Sequence, residues 1–349
     1  MKIVVLCGGL SPERDVSIST GTKMAAALRS LGHKVILTDM YFGLENYAGG
    51  LENIFDVYTG EGQTAISEIA PDLGAVRKSR KKGGKSQFGD RVLELCSLAD
   101  LVVIGLHGQC GEDGKVQATF DLLGIPYTGA GFLSSAVCMD KDLTKRIVST
   151  VDVRTPNWET YDMRTATAES ILKSLSLPLV IKPGDSGSSI GVAIVHTETE
   201  LREALEEVRK ESRLLVVEEY IPGREIQVGI LDGKALPSIE IRPKGGFYDY
   251  RNKYQAGVAE EITPAPIEPE LEAEVERIAL RVYRVLRLQA YSRADFILDQ
   301  EGRFWFLEIN TLPGMTPTSL VPQEAAVVGY SYEDLCAEIL RASMRKYDE

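Results

Sequence analysis

The sequence predicts an α/β first domain followed by a larger α+β portion, and three observations carry that reading. The chain opens on a strand, a glycine turn, a helix and a second strand, which is the entry to a parallel sheet with helices on its faces. Its later part is rich in hairpins. The texture changes near residues 130–140, so a first unit over 1–136 is expected before the larger portion.

In order, Lys2–Cys7 reads as a strand, Gly8-Gly9 as a turn, the stretch to Ser30 as a helix and Lys34–Thr38 as a strand. Leu101–Leu106 is a buried-type strand running into His107-Gly-Gln-Cys-Gly-Glu-Asp-Gly114, with a helix over Val116–Leu123. Asp140-Lys141 opens another helix, and Val151–Pro156 is a connecting segment. Leu179–Lys182 and Gly191–His196 form a hairpin with a glycine–serine tip, and an acidic helix spans Thr199–Lys210. Leu214–Tyr220 and Glu225–Leu231 are strands around Ile221-Pro-Gly-Arg224. Leu271, Val275, Ile278, Val282 and Leu286 trace one helical stripe for the core.

At 349 residues with 44% hydrophobic and 26% charged residues, the chain has material for a large core and two or three domains. A net charge of −12 argues against nucleic acid or an anionic membrane as the main partner. Five scattered cysteines without a Cys-x-x-Cys suit reduced thiols rather than a disulfide framework or a zinc site. No signal-peptide profile and no apolar run near ~20 residues is present, so a soluble, cytoplasmic protein is expected. The basic run Arg77–Ser86 ends like a phosphate-binding P-loop, but Ser79 replaces the leading glycine and no strand precedes it; it reads as a solvated loop.

The richest segment is Asp295 to Gly314. It reads as strands Tyr291–Leu298 and Arg303–Ile309 joined by an Asp-Gln-Glu-Gly turn. Strict alternation puts Arg293, Asp295 and Ile297 on one face, and Phe304, Phe306, Glu308 and Asn310 on one face of the partner. A two-residue turn at Gln300-Glu301 sets Glu308 opposite Arg293 and Phe306 opposite Asp295. Buried carboxylates need a cation, and hard oxygen donors of this kind suit magnesium, which keeps positions for phosphates. A salt-bridged Arg–Asp pair at an ordinary strand end is the plainer alternative.

Four further sites stand out. The tip Gly184–Gly191 follows Lys182, and glycines, serine hydroxyls and a lysine are what an anion needs. Lys141 begins the neighbouring helix. In Val216-Val217-Glu218-Glu219-Tyr220-Ile221, peptide groups are placed to read an adenine while Glu225 meets a ribose hydroxyl; an ordinary strand is the alternative. Gly8-Gly9-Leu-Ser-Pro-Glu13 is not the dinucleotide fingerprint, and Glu13 is placed to hold an ammonium group or to start a helix. His107 is a site residue or a core imidazole. His33 and His196 read as structural or surface residues.

Seven ordered motifs, covering nearly the whole chain, resemble the D-alanine–D-alanine ligases of the ATP-grasp superfamily. They are Gly8–Ser17, His107–Gly114, Gly124–Gly129, Met139-Asp-Lys141, Lys182-Pro with Gly187–Gly191, Phe247–Tyr254, and Glu308–Met315 with Ser319–Pro322. The resemblance implies an ATP-grasp fold behind a parallel-sheet domain, with a central subdomain over 137–221 and a C-terminal one over 222–349. It also implies joining of two D-alanines through an acyl phosphate, with release of ADP and phosphate, for peptidoglycan. By motif, Asp295, Glu308 and Asn310 would hold two magnesium (or manganese) ions. Lys141, Lys182, Ser189 and Lys253 would contact the ATP phosphates, Glu218 the adenine amino group and Glu225 the ribose, with Glu219, Tyr220 and Ile221 along the base pocket. Arg293 and the Gly314 N–H would stabilise the tetrahedral oxyanion. Glu13 would bind the first ammonium, with Ser188 and Tyr254 closing a loop over the site. His107 would lie near the first substrate, and Ser319 with the Leu320 backbone would hold the second carboxylate. A homodimer through the first domain is the family expectation.

Arg251-Asn252, Leu312, Pro317 and Cys110 depart from the commonest family pattern, which bears on loop closure and the second site rather than on the reaction class. Alternatives are another ATP-grasp ligase, including one making D-alanyl-D-lactate or D-alanyl-D-serine, and a non-enzymatic nucleotide-binding relative. The first glycine turn disfavours a nicotinamide-dependent oxidoreductase.

Overall fold

The computed structural model describes residues 1–60, 71–82, 84–184, 191–209, 212–243 and 259–348. Ser188, Ser189, Lys253 and Tyr254 lie outside them, as do Gly187 and the segment 247–254 of the sequence motifs.

The first domain forms as its apolar runs dictate. Strands β1 (Lys2–Cys7), β2 (Lys34–Asp39) and β3 (Leu101–Ile104) make a parallel sheet in the order β2-β1-β3, crossed by helix α1 (Arg14–Ser30). The residues of β3 are fully buried, as a parallel strand covered on both faces requires. The predicted strand ends two residues early, at Ile104, and Gly105, whose N–H still bonds the Leu6 carbonyl, leads through buried Leu106 to His107. Short helices α2 (Ile54–Val57), α3 (Leu73–Ser79) and α4 (Val92–Ser97) lead to β3, and α5 (Lys115–Leu123) follows it. The basic run, read as a loop, begins as the last turn of α3 (Arg77, Lys78 and Ser79), and most of its described residues are exposed: Lys82 pairs with Asp90, Lys81 donates to Asn46, and half-buried Arg80 lies over Tyr41.

Helices α6 (Phe132–Met139) and α7 (Lys141–Ser149), the latter capped by the Asp140 side chain, lead to a four-stranded antiparallel sheet. That sheet runs β4-β7-β5-β6, from β4 (Trp158–Asp162), β5 (Leu179–Pro183), β6 (Ala193–Val195) and β7 (Leu214–Glu219). Helices α8 (Ala168–Ile171) and α9 (Glu198–Val208) close its core. Leu201 and Leu205, four apart on the acidic helix, are buried there as the pattern requires.

The third sheet contains β8 (Arg224–Leu231), β9 (Lys234–Ala235), β10 (Ile239–Pro243), β11 (Ala259–Ile262), β12 (Tyr291–Leu298) and β13 (Phe304–Asn310), in the order β11-β10-β8-β12-β13 with β9 on β8. Helix α10 (Pro269–Val285) covers one face, burying Val275, Ala279 and Val282, while Leu271 and Ile278 of the predicted stripe pack at its margin. Helices α6 and α7 contribute Cys138 and Val148 to the same core. Helices α11 (Leu320–Val327) and α12 (Tyr332–Met344) return to the first domain, where Leu335, Ile339 and Leu340 join its core. Among the described residues, no helix is long and apolar enough to cross a membrane.

The hairpin β12–β13 corrects the predicted register. Arg293 lies opposite Asn310 and Asp295 opposite Glu308, whereas Phe296 lies opposite Phe306. One extra residue on β13 between those pairs is a β-bulge. The loop also differs from the expected two-residue turn. Asp299 N donates to the Arg303 carbonyl at 3.0 Å, and Gly302 takes a left-handed conformation (φ 77°), giving a three-residue loop. The bulge reverses the alternation. Phe304, Phe306 and Ile309 enter the core, and Glu308 and Asn310 share the other face with Arg293 and Asp295. The predicted sharing of one face by Phe306 and Glu308 is therefore wrong, while the predicted convergence of the four polar groups holds.

Candidate functional site

The charged centre is built on that bulged hairpin. Arg293 grips Asp295 in two bonds, Nε to Oδ1 at 2.8 Å and Nη2 to Oδ2 at 2.9 Å, and the Asn310 amide donates to Asp295 Oδ2 at 3.2 Å. Burial works against the guanidinium charge, and Asp295 with Glu308 overrides it, so Arg293 stays cationic. From α7, Lys141 Nζ reaches Glu308 Oε2 at 3.3 Å, and its backbone N–H donates to the Gly184 carbonyl. The lysine at the helix start thus joins the hairpin to the beginning of the glycine–serine tip. Two carboxylates and an amide oxygen are an oxygen donor set of the kind magnesium takes. Among the described residues, no group of three or more His, Cys, Asp or Glu could hold a metal. Asp295, Glu308 and Asn310 would leave coordination positions of such a cation to waters or phosphates.

The opposing sheet supplies the second half. Lys182, at the end of β5, bonds Glu218 Oε2 at 2.7 Å across the neighbouring strand β7. A residue the sequence reading missed completes this group: Lys145, fully buried, lies 3.0 Å from Glu218 Oε1 and donates to Thr155 Oγ1 at 2.6 Å. Burial opposes the Glu218 charge, and the two lysines overcome it, holding its carboxyl below the usual range. The next residues turn their side chains elsewhere. Glu219 accepts from Asn157 N and Nδ2, Tyr220 N donates to the Pro178 carbonyl, and the Tyr220 ring meets exposed His196 edge-on. Ile221 follows, half-exposed, before β8. Glu225 lies on β8 directly opposite Ile297 of β12 and accepts from Gln227.

The first domain meets the same centre. Glu13 is the residue before α1 and makes no capping bond; its carboxylate rests against Gly108. The glycine is required there, since its φ is +70° and a Cβ would sit 2.5 Å from Glu13 Oε2. His107 is buried. Its Nδ1 contacts the Leu312 carbonyl at 3.0 Å and its Nε2 contacts Thr20 Oγ1 at 2.9 Å. A carbonyl only accepts, so Nδ1 carries the proton and the threonine hydroxyl donates to Nε2. Burial lowers its pKa and keeps the ring neutral. Both ring nitrogens are used within the protein, and His107 fixes the Leu312 carbonyl.

Glu112, a second residue the sequence reading passed over, accepts from Gly108 N at 2.7 Å and Leu312 N at 3.4 Å. Both backbone groups of Leu312 are thereby held by one turn. Burial, with Glu13 nearby, raises the Glu112 pKa to about 8.

Beyond Leu312 the chain passes Gly314 to Ser319, which is the residue before α11. Ser319 Oγ accepts from Thr316 N at 3.0 Å and does not cap the helix. A Cβ on Gly314 would lie 3.0 Å from that hydroxyl, so Gly314 and Ser319 pack together. Leu320 is the first residue of the helix.

Two antiparallel sheets, one carrying a lysine–glutamate–lysine group and the other an oxygen donor cluster with an arginine, define the ATP-grasp class of ligases. The family follows from comparison. A model described as the D-ala D-ala ligase N-terminus matches residues 2–130, and one described as its C-terminus matches 147–341. The D-alanine–D-alanine ligase of Pediococcus pentosaceus is 39% identical over 351 residues, spanning 100% of this chain and 99% of that one. That of Lacticaseibacillus casei is 37% identical over 348 residues, 99% and 97% of the two chains. The ATP complex of the Bacillus anthracis ligase superposes with a TM-score of 0.74 at 31% identity, covering 99% and 98%. The VanG D-Ala:D-Ser ligase of Enterococcus faecalis gives 0.75 at 28%, covering 98% and 99%. The chain belongs to the D-alanine–D-alanine ligase family.

Proposed function

We propose that the protein joins two D-alanines into D-alanyl-D-alanine with ATP, releasing ADP and phosphate, as a step in peptidoglycan precursor synthesis. The observation that carries this reading is the convergence of Arg293, Asp295, Glu308 and Asn310 on one sheet face beside Lys141.

The carboxylate of the first D-alanine attacks the γ-phosphorus, ADP leaves, and an acyl phosphate results. The amine of the second attacks the acyl carbon, the bond from that carbon to the phosphate oxygen breaks with its electron pair going to phosphate, and the new amide nitrogen loses a proton to solvent. In that scheme Glu13 holds the first ammonium, and His107 with Glu112 fixes the Leu312 backbone so that the following turn presents the Gly314 N–H. Arg293, kept charged by Asp295, faces the developing oxyanion. Lys141, Lys182, Ser189 and Lys253 bind the phosphates, with Ser188 and Tyr254 closing over the intermediate to exclude water. Glu218 takes the adenine amino group, Glu225 the ribose, and residues 219–221 border the base. The uncapped N-terminus of α11, with Ser319 and the Leu320 N–H, receives the second carboxylate. Asp295, Glu308 and Asn310 would hold magnesium, or manganese, which neutralises phosphate charge when bound.

The same reading includes a homodimer through the first domain, supported by Leu122, Leu123, Phe132 and Leu133, exposed on the adjoining helices α5 and α6. It also includes a cytoplasmic location, supported by five unpaired cysteines, four of them buried. Phosphate release measured with ATP and magnesium over D-alanine, D-serine, D-lactate and L-alanine tests it. Release only with D-alanine is expected; release of AMP and pyrophosphate refutes the acyl-phosphate route.

A further inference from the structure

Lys145 has no part in the scheme above, yet it is the most deeply buried cation described, with 0% exposure beside a Glu218 at 1%. A buried ammonium is costly unless paired, and this one is fully engaged. It faces Glu218 Oε1, donates to Thr155 Oγ1, and lies 5.2 Å from the centre of the Trp158 ring. Together these neighbours link the second sheet to the third. Glu218 and Trp158 are paired across strands β7 and β4, and Thr155 donates onward to the Phe306 carbonyl on β13, at 2.9 Å. Phe306 is two residues from Glu308.

The charges do not balance within this group: one carboxylate sits between two ammoniums, Lys145 on Oε1 and Lys182 on Oε2. The two lysines are not equivalent. Lys145 is closed in, whereas Lys182 leads into the glycine–serine tip and is the one that reaches phosphate in the proposed scheme. An ammonium drawn toward a triphosphate gives up part of its hold on Glu218. Without a second cation, a buried carboxylate would then compete for Lys182, and the competition would weaken nucleotide binding. Lys145 Nζ stays 3.0 Å from Glu218 Oε1, so the buried carboxylate keeps a cation on one oxygen whatever Lys182 does on the other.

We propose that Lys145 is a positioning residue that serves as the permanent counter-ion of Glu218, freeing Lys182 for the nucleotide phosphates and holding Glu218 as a charged acceptor for a 6-amino purine. This rests on the reading that Glu218 meets the adenine amino group. Burial lowers the Lys145 pKa to about 8, with Glu218 opposing and Lys182 reinforcing that fall, so the cation persists at neutral pH because of its partner.

The test is a double-variant cycle, Lys145→Met, Glu218→Gln and both together, with KM and kcat measured for ATP and for ITP, whose purine carries oxygen in place of the amino group. Lys145→Met is expected to raise KM for ATP by about 10- to 100-fold, with kcat at saturation within about threefold, because ground-state binding is what is lost. Adding Glu218→Gln to Lys145→Met is expected to recover about tenfold of that KM, since the neutral amide no longer competes for Lys182. A side chain that only fills space gives the opposite pattern: the two losses multiply in the double variant, and that result overturns the proposal. If Lys145→Met is too unstable to assay, a folded double variant supports the counter-ion role and an equally unstable one overturns it. The base reading is judged separately. Glu218→Gln alone narrows the preference for ATP over ITP if Glu218 meets the amino group. An unchanged preference with the rescue intact removes that reading and leaves the counter-ion role standing.

Discussion

Replacing Arg293 by alanine separates two jobs that the structure gives one side chain. Arg293 and Asp295 have side-chain exposures of 13% and 5%, and their bidentate pair sits on the wall of the cleft. Removing one partner of a buried pair costs ~3–5 kcal/mol, since the other charge is left uncompensated. Here the lower end applies, because Asn310 still donates to Asp295. That loss is a property of the nucleotide-free protein. A magnesium nucleotide would return a cation to Asp295, so the stability deficit should shrink when it is added. Turnover should not recover, because the oxyanion has lost its donor; a fall of ~100- to 1,000-fold is expected for such a group. Thermal unfolding with and without magnesium and ADP measures the first effect. Single-turnover kinetics with a separate nucleotide titration measures the second, with ATP affinity expected to hold or rise, by the factor that the recovered stability requires. Affinity falling in step with turnover, or a deficit that magnesium nucleotide leaves unchanged, would refute the division of labour.

Gly108→Ala should raise KM for D-alanine at least about tenfold and leave ATP affinity alone, because its Cβ would strike Glu13 Oε2 and its φ is +70°; steady-state kinetics decides, and an unchanged KM would dissociate Glu13 from the substrate. Glu112→Gln should flatten the pH dependence of stability. The folded pKa near 8 lies above the ordinary 4.5, so the folded state holds a proton that the unfolded chain has lost between those values. Wild-type stability attributable to this group is complete below about 4.5 and declines through 8. The variant should therefore gain on wild type by a few kcal/mol from pH 5 to pH 8, read from urea midpoints; parallel profiles would show that the carboxyl titrates normally. Ser319→Ala should raise the KM of the second D-alanine only, by about 10-fold or more, and an equal effect on both substrates would place Ser319 in the turn's architecture instead.

The first domain was readable because Ile3–Leu6 and Leu101–Ile104 are continuous apolar runs, and a glycine turn between strand and helix leaves little freedom. The polar convergence on the last hairpin was readable from residue types. Its register was not, because alternation assumes one residue per step and the bulge before Glu308 adds another. Phe306 and Glu308 have the same spacing as Asp295 and Ile297, so nothing local announces the reversal. Lys145 was hidden for a different reason. One turn after Lys141 on a helix with charged residues, it resembles a solvated side chain, and only the packing of Trp158 and Glu218 against α7 shows that it is enclosed. Glu112 lay inside a recognised motif, but its bond to Leu312 joins residues 200 apart in the chain.

The account turns on a phosphoryl group passing from ATP to a D-alanine carboxylate before the peptide bond forms. D-alanine labelled with oxygen-18 in its carboxylate, turned over with ATP and magnesium, tests this directly by mass analysis of the released phosphate. The account predicts one labelled oxygen in each inorganic phosphate, formed one for one with ADP and dipeptide. Unlabelled phosphate accompanying dipeptide formation would contradict it.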